Sequence, residues 1–265
     1  MSSSFVAACV QMCGRTDPLI NRDDAVRMIR EAASAGAHFV QTPEISNLVN
    51  RDRPSMMQNI FAEADDPMLQ AFQALARELK ITLHAGSLSI KNGDKVANRA
   101  FVIDPEGEII ARYDKIHLFD VDLPNGETWR ESNTFTGGTD VVVVDTPHAK
   151  LGLSICYDVR FPYLFRALAD HGATILSAPA CFTKQTGEAH WSVLQRARAI
   201  ENGRHEDGRE TYGHSIIVDP WGRVLAEADD KPGIIMAEIK SEAVIEARNR
   251  IPALRHTRPT PVRVS

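Results

Sequence analysis

Apolar positions along the chain change period repeatedly, and the changes mark out alternating helices and strands. Ala25, Met28, Ile29, Ala32 and Ala33 recur at i, i+3, i+4, i+7 and i+8, which gives one apolar helix face, ended by Gly36. HFVQTP then reads as a buried strand that delivers Glu44 at its end. Pro67 opens a second helical pattern on Leu69, Phe72, Leu75, Ala76 and Leu79, which leads into ITLHAGSLSI as a strand. FVIDPEGEIIARY is predicted to be a hairpin around a Pro-Glu-Gly turn, and VVVVD and LGLSIC read as two more strands.

The second half writes the same order again. The helix FPYLFRALAD ends at Gly172, and ATILSAPA has the form of AHFVQTPE: alanine after glycine, a buried strand, then a proline. A helix around Glu188–Glu201 follows, and IIVDPWGRVLAEA mirrors FVIDPEGEIIARY. Buried strands flanked by amphipathic helices, written twice, predict an α/β fold with two mixed sheets face to face and helices outside, a four-layer αββα sandwich. The expected organisation is one domain over residues 1–265, with pseudo-repeat halves of about 1–150 and 151–265. The halves differ at one place. After RARAIEN the chain runs straight into GRHEDGRETYG, a charged, Gly-punctuated stretch read as a loop, so a strand expected from the repeat is absent after Asn202.

A chain of 265 residues can bury a substantial core. Its net charge of −5 gives no basic footprint for nucleic acid or an anionic membrane. No apolar run approaches the roughly 20 residues of a membrane span, and MSSSFVAACVQMCG lacks the basic start of a secretory signal. Four cysteines (Cys9, Cys13, Cys156, Cys181) are too few for a disulfide scaffold, so a reduced, cytoplasmic setting is expected. Cys9 and Cys13 read as small buried hydrophobes, and the histidines show no metal-ligand spacing.

Cys156 stands where an apolar run stops and a helical pattern begins two or three residues later. A side chain at such a junction is presented on a tight turn, and the amide of Tyr157 points as an oxyanion donor would. Asp158 and Arg160 follow, where a packing cysteine would not need them. Glu44 ends a buried strand, which suits a partly desolvated carboxylate able to take and return protons. Lys115, in ARYDKIHLFDVD, could stabilise an oxyanion, and Glu131 could orient that lysine. A packing cysteine, a capping glutamate, a solvated lysine and a loop-capping Glu131 are the ordinary alternatives. A Cys–His hydrolase using His117, His190 or His214 is a further one.

Taken together, TPE with Glu44, YDKIHLFD with Lys115 and LGLSICYDVRFP with Cys156 resemble the nitrilase superfamily of carbon–nitrogen hydrolases in order and separation. The resemblance covers nearly the whole chain. RESN before the glycine pair, TGEAHW and YGHSIIVDPWG resemble the branch of omega-amidases and deaminated-glutathione amidases. It implies a Glu–Lys–Cys set at Glu44, Lys115 and Cys156, with Glu131 supporting the lysine and the Tyr157 amide completing the oxyanion site. The implied reaction is cysteine-dependent hydrolysis of a small carboxylate-bearing amide through a thioester, with release of ammonia and no metal or organic cofactor. It also implies the αββα sandwich, paired into a homodimer or a higher homo-oligomer. Lys184, Arg160 and Arg209 are candidates to meet a substrate carboxylate.

Three departures from the family pattern stand out. RFPY, with Tyr163, replaces the usual RFPE, in a helix turn expected to support packing. Cys181 replaces a small residue, where a buried thiol is expected. The gap after Asn202 admits a second reading, a catalytically impaired relative kept as a dimeric binding or scaffold protein.

Overall fold

Asp17 and Asp66 each accept hydrogen bonds from the first free amides of a helix, and a proline follows each, so two amphipathic helices start where the periodic apolar pattern does. The computed structural model describes residues 4–123, 126–202, 205–206 and 213–258. Its first half runs β1 (Ser4–Gln11), α1 (Pro18–Ser34), β2 (Phe39–Gln41), α2 (Arg53–Asn59), α3 (Pro67–Leu79), β3 (Thr82–Asn92), β4 (Lys95–Ile103) and β5 (Ile109–Asp114). The hairpin β6 (Asp120–Asp122) and β7 (Thr128–Arg130), β8 (Phe135–Thr136), β9 (Val143–Asp145) and β10 (Lys150–Gly152) follow. The rest is α4 (Pro162–Asp170), β11 (Ile175–Leu176), α5 (Lys184–Asn202), β12 (His205–Glu206), β13 (Ile216–Val218), β14 (Val224–Glu227), β15 (Gly233–Lys240) and α6 (Ser241–Arg250).

The larger sheet is seven-stranded and mixed, in the order β15-β1-β2-β3-β4-β5 with β8 beside β4. Its inner strands β1 to β4 bury both faces, and the period of two separates them. From β1, Phe5, Ala7 and Cys9 enter the core shared with the second half, whereas Ala8 and Val10 pack under α1 and α3. The antiparallel partner β15 divides the same way, with Ile235, Ala237 and Ile239 on one side and Ile234 and Met236 on the other. Leu151, Leu153 and Ile155, with Ile216, Ile217 and Val218, meet the inner face, and α4 adds Leu164, Phe165 and Leu168. This is the sandwich: helices on one sheet, an apolar core between the layers, and helices beyond. Cys9 is a fully buried core residue, but Cys13 is exposed, because the chain has left β1 by then.

The internal repeat is visible in the hairpins. Asp104 accepts from the amides of Glu106 and Glu108, and Asp219 accepts from those of Trp221 and Arg223. Gly107 and Gly222 close the two turns at φ 82° and 76°. The second sheet departs from the repeat. Among the described residues it forms two three-stranded pieces, β11-β10-β9 and β12-β13-β14. The charged stretch read as a loop contributes β12, where His205 and Glu206 pair with Val218 and Ile217. Among the described residues, His205 and Glu206 are paired where the repeat predicts a strand.

His84 on β3 is fully buried beside Gln41, with Nδ1 2.8 Å from its Oε1, and burial pulls the imidazole pKa down to about 3. The folded state therefore stays neutral at this site down to about pH 3, while the unfolded chain protonates below about 6.5. Stability from this group is full above about pH 6.5 and is lost as pH falls, by up to about 1.4 kcal/mol per unit. Urea midpoints measured from pH 7 to 5 should fall more steeply for the wild type than for His84→Gln; equal slopes would remove His84 as a source.

Candidate active site

The sequence-predicted residues arrive on three separate arms. Glu44 follows β2 on a Thr-Pro-Glu step fastened to β3: the Thr42 amide donates to His84 O, and the Ser87 amide to Pro43 O. Gly86 makes this approach possible, since a Cβ there would sit 1.9 Å from Thr42 O and 2.7 Å from the Pro179 Cβ. Ile45 takes φ 43°, an unusual conformation for a β-branched residue, and its amide is held by Ser87 Oγ at 2.8 Å. Lys115 lies one residue beyond β5. Its amide donates to Asn98 O, and its own carbonyl accepts from Gly138, so its backbone remains fastened on both sides.

Cys156 opens a 3-10 turn, Cys156–Arg160, at φ 51°, with its amide donating to Pro179 O at 2.8 Å. This is the strained junction expected from the sequence, with left-handed backbone at a residue other than glycine. LGLSIC is ladder-paired only through Gly152, and Leu153–Ile155 continue as buried chain leading to the turn. Tyr157 is half-buried and packs edge-on against Phe119 and Phe161.

Glu44, Lys115 and Cys156 are all buried, and Glu131 is nearly so. Lys115 Nζ donates to Glu44 Oε1 at 2.9 Å and to the two oxygens of Glu131 at 3.0 and 2.9 Å. Glu131 also accepts from the Phe119 amide at 2.6 Å. Burial works against the Lys115 ammonium, but Glu131, Glu44 and Cys156 together hold its pKa well above the usual lysine value. Burial, reinforced by the charge of Glu44, pushes the Cys156 thiol well above its ordinary range, while Lys115 and a backbone hydrogen bond from Cys181 pull the other way. The resting site is thus a protonated thiol beside an ammonium held between two carboxylates. Cys181 is half-buried rather than buried; its main chain favours the Cys156 thiolate and its side chain opposes it.

Two groups that sequence reasoning did not assign complete the arrangement. Asn98 Nδ2 donates to Glu44 Oε1 at 2.9 Å and to Glu131 Oε1 at 3.3 Å, tying the two carboxylates from β4. An asparagine inside the apolar segment KVANRAFVI was the available signal. Asp158, fully buried, accepts from Tyr113, His117 and the Ile155 amide. The helix turn carrying Tyr163 buries Leu164 and Phe165, while Tyr163 itself is 64% exposed, and its hydroxyl lies 2.5 Å from His117 Nε2. The three histidines considered as bases are engaged elsewhere: His117 with Asp158, His190 with Arg160 and His214 with Glu227.

Arg160 is half-buried, with its guanidinium 5.9 Å from the Tyr157 ring and 5.4 Å from that of Phe182. Burial lowers its pKa, opposed by Cys156 and Tyr157. Among the described residues no carboxylate pairs with it. Arg209 and the Lys184 side chain lie outside the described residues. Among the described residues there is no group of three or more His, Cys, Asp or Glu able to hold a metal, and no helix is long and apolar enough to cross a membrane.

A family model described as carbon-nitrogen hydrolase matches residues 6–249. The chain belongs to that family. This carbon–nitrogen hydrolase is 39% identical over 268 residues to deaminated glutathione amidase from Synechocystis, covering 95% of this chain and 97% of the relative. It is 36% identical to human omega-amidase NIT2, covering 97% and 96% of the two chains. Among solved structures, the hydrolase superposes on the C. elegans NitFhit protein with a TM-score of 0.90 at 35% identity. It spans 97% of its own length there and 66% of that longer chain.

Proposed function

We propose that the protein hydrolyses the terminal amide of a small carboxylate-bearing compound, using Cys156 as nucleophile, Glu44 as general base and Lys115 as oxyanion stabiliser. The observation that carries this reading is the buried Lys115 ammonium bridging Glu44 and Glu131 beside the Cys156 thiol. The thiol is protonated at rest, so attack requires a base, and Glu44 is the carboxylate that acts on it. Sulfur adds to the amide carbonyl as its proton passes to Glu44. The new oxyanion is met by Lys115 and the Tyr157 amide at the start of the 3-10 turn. Collapse breaks the C–N bond, Glu44 returns the proton to the departing ammonia, and a thioester remains on Cys156. Glu44 then deprotonates a water that attacks the thioester, giving the carboxylic acid and the free thiol.

Arg160 supports the substrate class. A half-buried guanidinium near two aromatic rings, four residues after Cys156 on the same turn, suits a carboxylate at the far end of a short acyl chain. The relatives named deaminated glutathione amidase and omega-amidase are consistent with such substrates. The test is ammonia release from monoamides of short dicarboxylic acids against neutral amides of equal length. Wild type should prefer the acids, and Arg160→Gln should raise their KM about 10- to 100-fold, the worth of a charged hydrogen bond, while neutral amides change little. Equal turnover of both classes by the wild type would sink the carboxylate assignment. The gap in the internal repeat after Asn202 leaves a second reading, a catalytically impaired relative kept as a dimeric binding or scaffold protein. Failure of an electrophilic amide analogue to label Cys156 would select it.

A further inference from the structure

Asp158 joins the two catalytic arms at one buried carboxylate. Its Oδ2 accepts from Tyr113 Oη at 2.6 Å and from the Ile155 amide at 2.8 Å. Its Oδ1 lies 2.6 Å from His117 Nδ1 and accepts from the His117 amide at 3.0 Å. Because a carboxylate only accepts, His117 Nδ1 carries a proton. Burial and then the charge of Asp158 hold the Tyr113 phenol well above its usual pKa, so that hydroxyl also donates.

The spacing gives these contacts their meaning. Tyr113 and His117 stand two residues before and two residues after Lys115, while Asp158 stands two residues after Cys156 and Ile155 one before it. Each oxygen of Asp158 thus takes a donor from the lysine arm, and Oδ2 also takes one from the cysteine turn. The His117 ring is further fixed by Phe161, stacked at 3.6 Å and 9°. Tyr163 reaches its other nitrogen from the protein surface. Phe161 and Tyr163 both follow the cysteine turn, so the lysine arm is gripped from the chain that carries the nucleophile.

We propose that Asp158 is a positioning residue that sets Lys115 against Cys156, through Tyr113 and His117 on one side and the turn at Ile155 on the other. Glu44 and Glu131 hold the ammonium itself, whereas Asp158 holds the backbone that presents it. The inference rests on the proposed roles of Lys115 and Cys156. Loosening the Tyr113 and His117 side of the joint displaces Lys115 from the oxyanion and from the thiolate, while Arg160, at the far end of the Cys156–Arg160 turn, keeps its ring contacts and with them substrate binding.

The test uses Tyr113→Phe, which removes one oxygen from a core position, and Asp158→Asn, which weakens all four contacts. Each variant is assayed below its own melting temperature for kcat, KM and the rate at which iodoacetamide alkylates Cys156. Tyr113→Phe should lower kcat by about tenfold, the low end of the worth of one hydrogen bond to a charged group, and Asp158→Asn by about 100-fold, the cost of a misplacement near 1 Å. KM should be unchanged, and alkylation should slow in the same order, because Lys115 then stabilises the thiolate less. Tyr113→Phe with wild-type kcat and wild-type alkylation overturns the proposal, whatever Asp158→Asn does to folding. A rise in KM alone overturns it too. If the wild type releases no ammonia but Tyr113→Phe still slows alkylation, the joint stands and the amidase reading falls.

Discussion

Cys156→Ala is expected to reduce ammonia release from omega-monoamides to background, a loss of at least about 10³-fold, while the protein folds normally. The two halves of that expectation have different causes. Activity disappears because the remaining groups can polarise a carbonyl and move a proton but cannot form the acyl intermediate. Stability survives because the thiol is held protonated by burial and by Glu44, so losing Sγ removes no charge from the site. Lys115 keeps both carboxylates, and the φ of 51° costs alanine about what it costs cysteine. Turnover should be followed by ammonia release, folding by thermal melting, and covalent capture by intact mass with an electrophilic amide analogue. Undiminished turnover, or an adduct that still forms on the variant, would remove Cys156 as the nucleophile.

Much of this site could be read from the chain because its parts are local. Glu44, Lys115 and Cys156 each follow, within four residues, a strand whose apolar period is plain in the sequence, and the segments just past strands are where side chains gather. The paired Asp-Pro-x-Gly turns were legible for the same reason: the aspartate at 104 or 219 caps amides two and four residues on. What escaped is tertiary. Asn98 matters because β4 lies beside the Glu44 and Glu131 arms, and no local pattern tells a bridging asparagine from any buried polar residue. Asp158 was noticed as out of place but not given a partner, because Tyr113 and His117 lie more than forty residues away in sequence. The helix turn at Tyr163 was expected to support packing, but helical periodicity does not describe how the exposed Tyr163 at the start of α4 meets His117. The short strand in the charged stretch shows the opposite effect, with two residues paired by their neighbour β13 against their own loop-like composition.

Lys115→Met is expected to damage both chemistry and stability, and the coupling between the two identifies the role of the lysine. The methionine matches the length of the side chain but leaves Glu44 and Glu131 buried without the ammonium that now bridges them. Removing one partner of a buried ion pair costs about 3–5 kcal/mol, so the melting temperature should fall by many degrees at neutral pH. Asn98 donates to one oxygen of each carboxylate and limits this loss without neutralising either charge. With the cation gone, the two carboxylates repel and their folded-state pKa values rise above the unfolded value near 4.3. The folded variant then binds protons more readily than the unfolded chain, so its stability deficit against the wild type should narrow as pH is lowered from about 7 towards 5. Turnover should drop by about 10²–10³-fold from lost oxyanion stabilisation, and acidification should not restore it, since protonating Glu44 also removes the base. A variant that melts like the wild type, or recovers activity at low pH, would mean that Lys115 neither neutralises this pair nor meets the oxyanion.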